Sequence, residues 1–212
     1  MTSQKIVGVI FSRADLERAS RIRRPPDFFE LRLDRLPNTA IGQLSAPVII
    51  TARDPREGGA NNLPARRRRA LLLEFLPRAK YVDIELRSAR ALQFVLRAAS
   101  ETAVGTIISF HDFEATPSIA RLDDIVSRAR SLGAAIVKVA TRTEMPAELD
   151  RLLDFFERHR PTGNVVAMGI GKLGRTSRLE LARRGCSLNY AHLGSPAAAG
   201  QLSVRDLRRA LG

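Results

Sequence analysis

The chain has 212 residues, 44% of them hydrophobic, a length that suits one large α/β domain with a real core, and we expect a single domain over residues 1–212. The amino terminus lacks a basic stretch followed by a long apolar run, and no apolar run is long enough to cross a bilayer, which argues against a signal peptide and a membrane partner. The single cysteine, Cys186, excludes an internal disulfide and favours a cytoplasmic location.

The formal net charge of +13 permits nucleic-acid binding without indicating it. The arginines are spread over predicted helices, and the one cluster, Arg66–Arg69, is contiguous. Four consecutive helical side chains point around the whole helix and form no single groove-facing stripe. We therefore expect most of the surplus charge on solvated helix surfaces, and no nucleic-acid partner.

Strand-like apolar runs alternate with amphipathic, helix-like segments along the whole chain. The predicted strands are Lys5–Phe11, Asp27–Asp34, Pro47–Arg53, Tyr81–Leu86, Val104–Phe113, Ala135–Thr141, Asn164–Ile170 and Ser187–Leu193. The predicted helices lie near Arg13–Arg24, Thr39–Leu44, Ala65–Leu76, Ser88–Ala99, Pro117–Leu132, Pro146–Arg160, Arg175–Arg184 and Ser203–Leu211. Thr116–Pro117 reads as an N-cap followed by proline at the first helical position, and Gly133 and Gly185 follow predicted helices.

Eight strand–helix units at a spacing of roughly 25 residues favour a single (β/α)₈ TIM barrel, with a doubly wound sheet as the alternative. Polar side chains collect at one end of the strands, at Glu30, Arg32, Thr51, Arg53, Asp83, Glu85, Ser109, His111 and Lys138. Barrel enzymes build their sites from the carboxyl ends of many strands, whereas an open sheet would split such groups between two faces. This pattern supports the barrel.

Lys138 stands in the middle of an apolar, β-branched run, AAIVKVATR at 134–142. Only four of the 35 basic residues are lysines, so a lysine in a predicted core strand is conspicuous. Burial makes a neutral amine easier to reach, and a neutral amine attacks carbonyl carbons. The alternative, which the strand alone leaves equally open, is a lysine that pairs with a carboxylate at the strand end.

His111 lies near the end of another apolar strand, in the same register as Lys138, and histidine suits proton transfer near neutral pH. Glu57 is a carboxylate able to hold its tautomer, while His159 and His192 have weaker claims. Glu30, Arg32 and Asp34 share one side of a strand and could form a polar floor for a ligand, or else the solvated face of an edge strand. No histidine, cysteine or carboxylate cluster has metal-ligand spacing.

A literal GxGxxG spans residues 169–174, between a predicted strand and helix. Only 38 residues follow it, too few for the second half of a dinucleotide-binding domain, and no acidic residue is well placed for a ribose. In a barrel, this stretch favours a phosphate site in the loop after strand seven over a dinucleotide site.

The chain resembles type I 3-dehydroquinate dehydratases, the imine-forming enzymes of the shikimate pathway. The matching stretches are ELRLD at 30–34, TARDPREGG at 51–59, SFHDFEATPS at 109–118, IVKVA at 136–140, MGIGKLGRTSR at 168–178 and GQ at 200–201. They occur in order over almost the whole chain. The resemblance implies a (β/α)₈ barrel without cofactor that converts 3-dehydroquinate to 3-dehydroshikimate and water in aromatic amino-acid biosynthesis.

The resemblance also implies a role for each matching residue. Lys138 would form the imine, His111 would move protons and Glu57 would orient His111. The substrate-binding positions would be Glu30, Arg32 and Arg53 for hydroxyl groups, Arg178 for the carboxylate, Gln201 in the closing loop, and Met168 and Tyr190 as apolar walls. The sequence is compatible with a homodimer.

Three departures from the family pattern stand out: Ala197-Ala198-Ala199 in place of a hydroxyl residue, Ala and Pro; Ile170 in place of methionine; and Tyr190 in place of phenylalanine. The first predicts weaker closure of the loop over substrate. Two alternatives from other classes are a class I aldolase-like barrel acting on a sugar phosphate and a basic, non-catalytic nucleic-acid-binding barrel.

Overall fold

The computed structural model describes residues 4–36 and 41–212, and these form a nearly closed parallel barrel. The strands are β1 (Lys5–Ile10), β2 (Phe28–Arg32), β3 (Val48–Thr51), β4 (Tyr81–Glu85), β5 (Gly105–Asp112), β6 (Ile136–Arg142), β7 (Val165–Ile170) and β8 (Leu188–His192). Each strand from β1 to β6 pairs with the next in parallel, and β1 also pairs with β8, so β7 and β8 lie at the two ends of the strand order. The predicted (β/α)₈ TIM barrel is confirmed.

Helices alternate with the strands and cover the outside of the sheet. They are α1 (Arg13–Arg21), α2 (Ala65–Phe75), α3 (Gln93–Glu101), α4 (Ile119–Ser131), α5 (Pro146–His159), α6 (Gly174–Arg183) and α7 (Val204–Leu211). Residues 39 and 40 of the predicted helix Thr39–Leu44 lie outside the described residues, and residues 41–44 are not helical, so that part of the prediction is wrong. The region between β2 and β3 therefore has no helix in its described part.

Two helix boundaries show how tertiary contacts redirect local signals. Ser118, not Thr116, is the N-cap of α4, and its hydroxyl accepts a hydrogen bond from the Arg121 N–H. Thr116 is buried and donates instead to the Arg142 carbonyl at 2.7 Å. Gly133 and Gly185 have the left-handed φ expected after a helix, +76° and +94°.

The strand periodicity separates the barrel interior from the layer beneath the helices. On β2, Phe29 and Leu31 pack in the apolar core, while Glu30 and Arg32 alternate with them on the other face. Both faces are buried, so the polar face is enclosed by the barrel. In the described part of the chain, no helix is both long and apolar enough to cross a membrane.

Candidate active site

A cavity of about 230 Å³ opens at the carboxyl ends of the strands. All ten site residues predicted from the sequence line it: Glu30, Arg32, Arg53, Glu57, His111, Lys138, Met168, Arg178, Tyr190 and Gln201. The barrel brings together side chains that lie as far apart in the chain as Glu30 and Gln201 because every strand ends at the same rim.

Lys138 lies on β6 with its side chain pointing into the base of this cavity, and it is almost fully buried. Its Nζ lies 2.5 Å from Asp83 Oδ2 and 3.7 Å from Glu30 Oε1. Nζ also lies over the Tyr190 ring, 4.5 Å from the ring centroid. Lys138 therefore pairs with carboxylates and also presents its amine to the cavity.

Asp83 is shared between Lys138 and Arg53. The Arg53 guanidinium approaches Asp83 with both terminal nitrogens, Nη1–Oδ1 at 3.0 Å and Nη2–Oδ2 at 3.2 Å, and also lies 3.3 Å from Glu85 Oε1. The Ser109 hydroxyl donates to Asp83 Oδ1 at 2.6 Å. Burial raises the pKa of Asp83, but the two cations outweigh burial and hold it well below its ordinary value. Asp83 is therefore ionised at neutral pH.

His111, on β5, is held by Glu57 through two contacts to one oxygen. Glu57 Oε2 accepts the backbone N–H of His111 at 2.9 Å and lies 2.9 Å from its Nδ1. Burial, together with the nearby cations Arg53 and Lys138, lowers the His111 pKa well below its ordinary value. Burial and repulsion by Glu85 raise the Glu57 pKa to about 8.

These shifts keep the imidazole neutral at neutral pH. The neutral imidazole carries one N–H, and Glu57 Oε2 lies closer to Nδ1 than Arg53 Nη1, which is 3.5 Å away, and already accepts the backbone N–H of His111. An oxygen that acts as acceptor places the imidazole N–H on Nδ1 and leaves Oε1 to hold the proton that the raised pKa of Glu57 favours. His111 Nε2 is then left as an unprotonated base.

Glu30 and Arg32 also line the cavity and are buried on an interior strand, so the edge-strand alternative is wrong. The Thr51 hydroxyl donates to Glu30 at 2.9 Å, and Arg32 forms a two-point ion pair with Asp34 at 2.8 and 2.9 Å. Asp34 thereby orients Arg32, a role that the sequence did not predict for it.

Arg178 is the one predicted site cation for which the described residues supply no carboxylate partner. Its Nε donates to the Gly169 carbonyl at 3.1 Å and its Nη1 to the Tyr190 carbonyl at 3.2 Å. Burial lowers the Arg178 pKa to about 10, which still leaves it charged at neutral pH. A buried cation that opens onto a cavity without a neutralising anion is suited to a carboxylate ligand.

The sequence also missed several residues that shape the site. Val9, Phe11, Arg35, Gly58, Phe113 and Ala140 line the cavity. The Arg35 guanidinium stacks 4.0 Å above the Phe11 ring, a contact that no spacing in the chain could indicate. His159 pairs with Asp123 on the outer helices, away from the cavity. Within the described ranges no group of three or more His, Cys, Asp or Glu side chains could hold a metal ion.

Comparison with known proteins agrees with this geometry. The family described as "Type I 3-dehydroquinase" matches residues 11–212. The chain belongs to the type I 3-dehydroquinase family. It is 35% identical over 211 residues to a 3-dehydroquinate dehydratase of Thermococcus gammatolerans, covering 97% of each chain. It is 33% identical over 197 residues to that of Methanococcoides burtonii, covering 87% of this chain and 83% of the relative.

A solved structure gives the same result for the fold. The 3-dehydroquinate dehydratase of Geobacillus kaustophilus superposes with a TM-score of 0.86 at 27% identity, covering 99% of this chain and 90% of that one. The family membership predicted from the sequence is therefore confirmed.

The GxGxxG stretch of this type I 3-dehydroquinase packs against the loop that precedes α7. The Gly171 N–H donates to the Ala199 carbonyl at 3.2 Å, and the Gln201 side chain accepts the Ala197 N–H at 2.7 Å. Gly174 and Gly200 meet backbone to backbone: a Cβ on Gly174 would lie 2.9 Å from the Ala199 oxygen. These contacts seat the loop without the hydroxyl residue and proline of the family pattern.

Tyr190, where the family pattern has phenylalanine, has a buried hydroxyl with no hydrogen-bond partner among the described residues. Burial, with Glu30 and Asp83 nearby, raises its pKa well above the ordinary value, so the hydroxyl stays neutral. An unsatisfied buried hydroxyl is destabilising, and nothing in the structure explains its presence.

We expect Gly174→Ala to weaken substrate binding, because its methyl group would push the Ala197–Gln201 loop off its seat. A rise in KM of about tenfold with a smaller change in kcat is the expected result, measured by steady-state kinetics. Gly42→Ala is the control, since a Cβ there meets nothing within 4 Å and its φ lies outside the left-handed region. An unchanged KM in Gly174→Ala would show that the seat does not control the loop.

Replacing Tyr190 by phenylalanine should stabilise the protein by about 1 kcal/mol, because it removes the unpaired hydroxyl and keeps the ring beside Lys138. For a chain of this length the melting temperature should rise by roughly 2–4 °C. Thermal denaturation checks this result, with Tyr81→Phe, at the half-buried second tyrosine, as the matched control. A lower melting temperature would mean that the hydroxyl has a partner, such as a water molecule.

Proposed function

We propose that this type I 3-dehydroquinase converts 3-dehydroquinate to 3-dehydroshikimate and water through an imine on Lys138. The observation that carries the proposal is the position of the Lys138 amine, which lies between two carboxylates at the base of the cavity that His111 also lines. Lys138 can bind the ketone carbon covalently while His111 moves a proton on the adjacent carbon.

Imine formation replaces the ketone oxygen by Lys138 Nζ and releases water. Lys138 must lose a proton before it attacks, and Asp83 can tolerate that loss because Arg53 still neutralises its charge. Once formed, the protonated imine is a cation in the same position, and Asp83 and Glu30 stabilise it. It draws electrons from the neighbouring carbon, so the chemistry needs no cofactor.

His111 Nε2 then takes the proton from that carbon, and the electron pair moves toward the imine nitrogen. The return of this pair expels the hydroxyl group on the next carbon, and the imidazolium donates its proton so that water leaves. Hydrolysis of the imine frees the product and restores Lys138. Glu57 holds Nδ1 throughout, which aims Nε2 and stabilises the transient imidazolium.

The remaining cavity residues bind the substrate. Arg178, with no carboxylate of its own, takes the substrate carboxylate; Glu30, Arg32 and Arg53 bind its hydroxyl groups; Met168, Tyr190 and Gln201 enclose it. We also propose that the chain acts as one domain, in the cytoplasm and in the shikimate pathway, with no nucleic-acid or membrane partner and as a monomer or homodimer.

The aldolase-like alternative requires a phosphate site near Lys172. There the Gly171 N–H is bonded to Ala199, the Lys172 N–H faces Glu144 Oε2 at 3.4 Å, and a carboxylate in that position repels phosphate. The decisive assay is the rise in ultraviolet absorbance as the conjugated enone forms from 3-dehydroquinate. No rise in absorbance would contradict the proposed reaction.

Borohydride added with 3-dehydroquinate should trap the imine, so that the reduced ligand mass is found on the peptide containing Lys138. Mass spectrometry of the digested protein checks the site. Lys138→Ala should abolish both trapping and turnover, whereas Lys172→Ala, outside the cavity lining, should retain both. Turnover that continues without trapping, or trapping on another lysine, would contradict the mechanism.

We expect His111→Ala to lower kcat by about 10²–10⁴-fold, the usual contribution of a general acid–base group, while slow imine trapping persists. His159→Ala, on the outer helices, is the control and should leave kcat unchanged. In the parent enzyme, kcat/KM should fall only as the pH drops well below 6.5, because a lowered His111 pKa keeps the base unprotonated down to that range. An acidic limb centred above pH 6.5 would contradict this assignment.

A further inference from the structure

The arginine run Arg66–Arg69 has one member that behaves unlike the rest. Arg66 and Arg67 are exposed and Arg69 is half-buried, but Arg68 points into the protein and is almost fully buried. Four consecutive helical side chains point around the whole helix, and Arg68 is the one that faces inward. A buried guanidinium is costly unless it is paired, so its partners indicate what it does.

Arg68 joins two carboxylates that belong to different parts of the barrel rim. Its Nη2 lies 2.8 Å from Asp54 Oδ2, and its Nη1 lies 3.0 Å from Glu85 Oε2. Both nitrogens also reach the Ser88 hydroxyl, at 3.1 and 3.2 Å. Arg68 is absent from the cavity lining, so it acts on the site only through these partners.

Asp54 connects Arg68 to Glu57. The Asp54 carboxylate accepts the Arg56 N–H at 2.9 Å and so caps the short 3₁₀ turn Pro55–Glu57. Its backbone carbonyl accepts the Glu57 N–H, also at 2.9 Å. The turn that presents Glu57 to His111 is thus fastened to α2 by Arg68.

Glu85 connects Arg68 to Arg53. One Glu85 oxygen pairs with Arg68, while the other accepts the Asp54 N–H at 3.1 Å and lies 3.3 Å from Arg53 Nη1. Glu85 is fully buried and would be only partly neutralised without Arg68. Its negative charge also adds to the effect of burial in raising the pKa of Glu57.

We propose that Arg68 is a positioning residue for the acid–base pair Glu57–His111, holding the Glu57 turn in place and neutralising Glu85. The inference rests on the proposed function of that pair. Five charged groups also act on His111: Glu57 from the turn, Arg53 from the segment just after β3, Lys138 from β6, Asp83 from β4 and Arg32 from β2. Arg68 adds a sixth influence from α2, through Asp54 and Glu85.

The test compares Arg68→Met, which removes the charge and keeps the bulk, with Arg66→Met at an exposed position of the same helix. In Arg68→Met we expect kcat to fall about tenfold or more with KM within about twofold, because the acid–base pair is misplaced and the binding residues are not. The acidic limb of the kcat profile should move up by about half a pH unit, since loss of a cation raises the His111 pKa. Arg66→Met should change neither.

Arg68→Lys, which keeps the charge, should return the acidic limb to its original pH and recover part of kcat. A purely structural role would lower the folded fraction without moving the limb, so an unmoved limb in folded Arg68→Met overturns the proposal. If Arg68→Met does not fold, Asp54→Asn decides: it removes a negative charge beside the same pair and should move the limb to lower pH with KM little changed. An unmoved limb there also overturns the proposal.

Failure of this inference is separable from failure of the proposed function. Absence of turnover or of Lys138 trapping in the unmodified enzyme contradicts the reaction itself. Normal turnover and trapping in the unmodified enzyme, with an unmoved limb in these variants, contradict only the role of Arg68.

Discussion

The carboxylate of Asp83, held between Arg53 and Lys138, is the interaction on which the candidate site depends. All three side chains are nearly or fully buried, and a buried charge is tolerated only when it is paired and hydrogen-bonded. Removing one partner of such a pair costs about 3–5 kcal/mol, since the other charge is then left unpaired in the interior. The barrel rim therefore contains alternating carboxylates and cations rather than isolated ones.

The same buried charges prepare both Lys138 as the nucleophile and His111 as the base of the proposed reaction. Arg53 shares Asp83 with Lys138, so the lysine can lose its proton without leaving a carboxylate unpaired. Burial, with the positive charges of Arg53 and Lys138, lowers the pKa of His111 and keeps it available as a base. Nucleophile and base are thus prepared by one set of buried charges, which also explains why a second layer, Arg68 and its carboxylates, surrounds the first.

The loop before α7 shows a different way to position a side chain. Its backbone packs against the turn after β7, where Gly174 and Gly200 allow the two backbone segments to approach more closely than any Cβ would permit. Hydrogen bonds at Ala197 and Ala199 complete the seat. Main-chain contacts thereby replace the side-chain hydroxyl and the proline that the family pattern has here, and Gln201 still lines the cavity.

The sequence by itself determined the eight strands and the barrel, because β-branched runs and alternating polar positions are local properties of the chain. Lining positions such as Arg178, Tyr190 and Gln201 came instead from the resemblance to the family, since no periodicity marks them. Only the tertiary structure decided that Asp83, 55 positions before Lys138, is its closest carboxylate partner. It also decided that Arg68 faces inward while Arg66 faces water, that Ser118 rather than Thr116 caps α4, and that a glycine-rich turn seats a loop. Each of these depends on which distant segment packs against a residue, and neither composition nor periodicity carries that information.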